Sequence, residues 1–113
     1  MKIDQTRIEE LKSAHTEGIF EGEINFTDSE DKQHKVVFIY RKPSTADMEA
    51  HVTSGIKNPV VANLNLIQSL IVHPEPVEII EKIRDYPMTL GRFVDEAIAP
   101  FFGANVQIKR RKL

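Results

Sequence analysis

Hydrophobic and polar residues change their spacing twice along the chain, and each change marks a new kind of element. Residues 4–14 (DQTRIEELKSA) carry Ile8 and Leu11 three apart behind Asp4, a side chain suited to capping a helix start. The spacing predicts a short amphipathic helix whose thin apolar stripe needs docking to hold it. After Gly18 the period becomes two: Phe20, Gly22, Ile24 and Phe26 alternate with Glu21, Glu23 and Asn25, as in a half-buried strand. The polar stretch Thr27–His34 reads as a turn, and Lys35–Arg41 (KVVFIYR) as a second strand, giving an antiparallel hairpin. Val36, Phe38 and Tyr40 face one side of that strand, Val37 and Ile39 the other. Its second face is therefore expected to be covered by the N-terminal helix or by another subunit.

From Pro43 onward the pattern is helical. Ser44 with Asp47 three residues later has the form of a capping box, opening a weakly apolar helix (Met48, Val52) that is expected to end near Gly55. Asn58-Pro59 opens a stronger one, in which Val60, Val61, Leu64, Ile67, Leu70, Ile71 and Val72 predict the central core helix up to His73-Pro74. Glu75-Pro76 begins a third, with Val77, Ile80 and Ile83, ending at Tyr86-Pro87. The last follows Thr89, with Leu90, Phe93, Val94, Ala97, Ile98 and Phe101 on one face, closed by Pro100 and Gly103. The class is α+β: an N-terminal helix and β-hairpin, then a small bundle of about four short helices. One domain is expected over residues 1–108, with a basic C-terminal tail at 109–113. Two strands alone are marginal in water, so the hairpin must pack on the helices or join a neighbour's strands.

Charge adds a polarity that the net value of −2 conceals. Residues 1–108 hold 11 basic against 17 acidic side chains, a balance of −6, while Lys109, Arg110, Arg111 and Lys112 crowd the end. An acidic body is a poor nucleic-acid binder, so nucleic acid is not an expected partner for the body as a whole. The tail admits three readings: a solubilising end, an electrostatic hook for an acidic partner or nucleic acid, or, through Val106 and Ile108, a strand added to a partner's sheet edge. There are no cysteines, no apolar run near membrane-spanning length and no signal-peptide pattern, so a cytoplasmic protein is expected.

Chemistry is hard to find. His15, His34, His51 and His73 lie far apart, with no second ligand at metal spacing, and read as surface or half-buried side chains. Asp28, Glu30 and Asp31 lack the later elements of a calcium loop. No serine sits in a nucleophile elbow and no glycine-rich loop cradles a phosphate. No catalytic, cofactor or metal residues are assigned, and an enzyme is the least expected class.

The run VVFIYRKPSTADMEAHV, followed by VVANLNLIQSLIVHPEPVEIIEKIRDYPMTLGRFVDEAIAPFFG, resembles the tail assembly chaperones of long-tailed bacteriophages. Its landmarks are Arg41, Pro43 and Ser44 at the strand-to-helix joint, then Leu66, Val72 and Pro74 at the end of the central helix. Tyr86-Pro87 and Gly103 complete the set, which spans roughly residues 18–103. The charged hairpin turn and the N-terminal helix stand outside the pattern. The resemblance implies a phage or prophage protein of the host cytoplasm, absent from the mature virion. It would bind the tape-measure protein and recruit tail-tube subunits, and such proteins are often also made in a frameshifted, extended form. Such a role needs apolar surface rimmed by charge. The candidate partner-binding residues are Val37, Ile39, Leu66 and Phe102, with Lys109, Arg110, Arg111 and Lys112 of the tail, and self-association through the hairpin is a further expectation. The competing classes are a connector-like structural component of the particle and a small nucleic-acid-binding regulator.

Overall fold

Asp4 turns its carboxylate back onto the Arg7 N–H, 2.7 Å away, and caps the start of helix α1 (Gln5–Ala14). The computed structural model describes residues 4–103 and 107–113. Gly18, at φ 118°, makes the left-handed turn from α1 into strand β1 (Ile19–Thr27). Strand β2 (Gln33–Arg41) pairs antiparallel with β1 from Ile19↔Arg41 to Thr27↔Gln33. The strands reach further into the polar stretch than the sequence pattern implies. The tight turn between them is held by Asp28, whose Oδ1 accepts from the N–H groups of Glu30 (2.9 Å) and Lys32 (3.0 Å). On its other oxygen sits the His34 ring, 2.8 Å away and stacked on Phe26.

The helices follow as expected in number and order: α2 (Thr45–Lys57), α3 (Pro59–Leu70), α4 (Pro76–Ile83) and α5 (Pro87–Phe93). The Ser44/Asp47 capping box is present, and Asn58 caps α3 by accepting from the Val61 N–H at 3.2 Å with Pro59 behind it. Asn58→Ala should cost about 1 kcal/mol of stability, read as a lower denaturation midpoint at unchanged slope.

Three details differ from the sequence reading. Helix α2 runs through Gly55 to Lys57. The central helix stops at Leu70, and Ile71–His73 becomes strand β3, which pairs antiparallel with β2 to give the order β1-β2-β3. His73 precedes proline and is pushed to an extended conformation, and Ile71 and Val72 are β-branched, so the local chemistry suits a strand once β2 offers an edge. Val60 and Val61 are accordingly exposed, and the buried face of α3 is Ala62, Leu66, Ile67 and Leu70. The last helix is not uniform either: α5 starts at Pro87, widens into a π turn over Val94–Ile98, then tightens into a 3-10 turn over Ala99–Phe102. Pro100 cannot donate to the carbonyl one turn back and crowds it, which is the local reason for the irregularity.

One contiguous core joins the inward face of the hairpin (Ile24, Val36, Phe38, Tyr40) to α3, α4 and α5. Leu11 and Ile39 are buried but lie outside that cluster. Ile39 belongs to the strand face opposite Phe38 and Tyr40, and Leu11 is the one buried residue of α1. The third strand and the helices answer the hairpin's need for support.

Candidate functional site

β1 is an edge strand. Among the described residues its ladder partner is β2 alone, so the outward N–H and C=O groups along β1 have no strand beside them. Glycine at position 22 is central to this edge. It stands opposite Phe38 in the ladder, and the Phe38 and Phe93 rings close over the space a side chain would take. Helix α5 and its π turn rise beside the strand, and between them runs an open groove of about 560 Å³. Its strand wall is Glu21 to Phe26. Tyr40 and Phe93 lie at the floor, and Met88, Thr89, Arg92, Glu96 and Ala97 form the helical wall.

The rim is charged and mostly acidic. Glu23 pairs with Lys35 at 2.9 Å, and that hydrogen bond holds the carboxyl below its usual range and the ammonium above its own. Arg92 bonds Glu96 at 2.6 Å one turn along the helix and is raised by it. Glu21 makes no ion pair among the described residues. Met88, 80% exposed, stands at the lip, an unbranched and adaptable side chain held out in water. Near the start of β1, Phe20 packs edge-on against Phe101 at 5.0 Å. An apolar floor, an unpaired backbone edge and a rim of carboxylates together suit a peptide segment.

The residues singled out from sequence fall in different places. Leu66 is a correction: it is 4% exposed, inside the core between α3 and the sheet, because it lies on the same helical face as Ile67 and Leu70. Ile39 is likewise 6% exposed and cannot meet a partner without opening the domain. Val37 is half-buried in a separate recess with Lys35, His73, Pro74 and Ile79. Phe102 is exposed at the end of the 3-10 turn. Lys109, Arg110, Arg111 and Lys112 are exposed and without regular structure, while Val106 lies outside the described residues. None of the eight lines the β1–α5 groove.

The groove residues escape a sequence reading because their signals are indirect. Glycine at an inward position of an alternating strand marks close approach, and Met88 is an apolar residue off the helical stripe. A second uncovered apolar feature lies on α2, which has no buried side chain and shows Val52 and Ile56 one turn apart to solvent. Among the described residues there is no cluster of metal-ligating side chains and no helix long and apolar enough to cross a membrane.

Comparison with known proteins adds the fold and the family. No curated protein matches the chain. A solved structure of an uncharacterised protein from Bacillus stearothermophilus is similar over 92% of this chain and 99% of its own, with a TM-score of 0.66. At 19% identity that likeness shows a shared fold. A family model, the domain of unknown function DUF6848, matches residues 11–110. With the match running from Leu11 in the first helix into the basic tail, the chain belongs to the DUF6848 family.

Proposed function

We propose that this protein is a non-catalytic assembly chaperone of a phage or prophage tail, working in the host cytoplasm and holding an aggregation-prone helical client, the tape-measure protein, while tail-tube subunits are recruited. The partner classes come from the sequence resemblance. The observation that supports a holding role is the β1–α5 groove: an unpaired strand edge beside an apolar floor, with Met88 at the lip and Glu21, Glu23 and Glu96 around it. A client segment with apolar anchors and basic neighbours meets complementary chemistry there. Such a rim favours fast, reversible capture over permanent binding.

The test is co-expression with the long helical protein encoded just downstream, followed by pull-down and a measure of that partner's solubility. Co-purification is expected, and Met88→Asp should weaken it about tenfold with no loss of fold, since a charge at the apolar lip must be desolvated on binding. Failure of the partner to co-purify or to gain solubility would sink the proposal. Undiminished binding by Met88→Asp would move the site away from the groove.

A further inference from the structure

We propose that the β1–α5 groove also receives the basic C-terminal segment Gln107–Leu113 of a second copy of this chain, added as a strand to the free edge of β1. Three observations meet here. The first is the open edge: among the described residues no strand pairs with the outer side of Glu21–Phe26, about 20 Å of strand, and seven extended residues span a similar length. The second is the state of the segment, which has no regular structure and holds Ile108 and Leu113 almost fully in water, at 91% and 99% exposure. Apolar side chains so exposed on either side of four cations gain by being covered. The third is charge in register.

In an extended chain alternate residues share a face, so Lys109 and Arg111 project together, two positions apart. Glu21 and Glu23 project together from β1 with the same spacing. Laid along the edge, the two cations come opposite the two carboxylates as cross-strand pairs, which are favourable in a sheet. The other face of the segment then carries Ile108 toward the apolar floor at Phe93 and Arg110 toward Glu96 on the helical wall. A shift by one residue would still set two cations, Arg110 and Lys112, opposite the carboxylates, but it would turn Ile108 away from the floor and bring Lys109 and Arg111 onto it, so Ile108 sets the register. Made reciprocally, the contact closes a two-fold dimer. It needs no client, and its failure would leave the chaperone proposal standing.

The experiment is sedimentation velocity and light scattering on the full chain at low and high salt. It includes two double variants, Lys109→Glu with Arg111→Glu and Glu21→Lys with Glu23→Lys. The wild-type chain is expected to dimerise, with association weakened about tenfold or more at high salt. Each variant alone should be monomeric, because the residues that face each other across the edge then carry the same sign. An equal mixture of the two should dimerise again, because the facing residues of groove and segment are then opposite in sign. A wild-type chain that is monomeric at low salt overturns the proposal, as does a dimer that persists in both variants or a mixture that stays monomeric.

Discussion

Gly22→Val should destabilise the fold by about 3 kcal/mol, the upper end of what overpacking costs in a closed site. A methyl group at position 22 would lie 2.8 Å from Phe38 Cε2, 3.0 Å from Phe38 Cζ and 3.1 Å from Phe93 Cζ. Phe38 is fully buried in the core and has no room to swing away. Valine gains under about 1 kcal/mol from its preference for strands, which does not offset the clash. Urea unfolding followed by far-ultraviolet dichroism measures the loss. A variant as stable as wild type would mean that the Phe38 ring is not held over the glycine. Gly22→Ala should lie between the two.

The second large effect is at the joint between sheet and helices. Arg41, at the end of β2, donates two hydrogen bonds to Asp47 (2.8 and 3.1 Å) and a third to the Ser69 carbonyl at 3.2 Å. Asp47 also accepts from the Ser44 N–H at 2.7 Å as the far half of the capping box. One ion pair thus ties the end of β2 to the start of α2, and its cation also reaches the last turn of α3. Arg41 chiefly, and the Ser44 N–H and hydroxyl after it, hold the Asp47 carboxyl down from an ordinary 3.8 to about 2. The folded carboxyl titrates below the unfolded one. Its stabilisation is therefore complete above about pH 4 and is withdrawn as pH falls toward 2. The size is about 2 kcal/mol, since a tenfold change in proton affinity corresponds to roughly 1.4 kcal/mol and the pair is mostly shielded from water. Asp47→Asn should cost about that much at pH 7, and the loss of stability between pH 4 and pH 2 should be correspondingly shallower. A variant with the wild-type acid profile would assign that loss to other carboxylates.

These two sites also show what the sequence makes legible. Ser44 and Asp47 announce the capping box by identity and spacing alone, and Asn58-Pro59 announces the next helix in the same way, because caps are local chemistry. The alternation in β1 and β2 likewise gives the hairpin and its inward face. What sequence spacing misses is decided by tertiary partners. Ile71 and Val72 fit a helix stripe as well as a strand, and only the edge of β2 selects the strand. Leu66 and Ile39 read as spare apolar residues, and the fold buries both. The groove is missed for the same reason. Its walls come from β1 and from α5, more than sixty residues apart in the chain, and neither wall carries a motif.

The groove is central to the proposed function, and amide hydrogen exchange on the isotope-labelled protein tests it most directly, with and without the co-expressed client. Client binding is expected to slow exchange at the outward amides of β1 between Glu21 and Phe26 and to shift the Met88 methyl signal, with the α2 face around Val52 and Ile56 unchanged. Protection confined to α2, or to the recess around Val37, with β1 and Met88 unaffected, would contradict a client site in the groove.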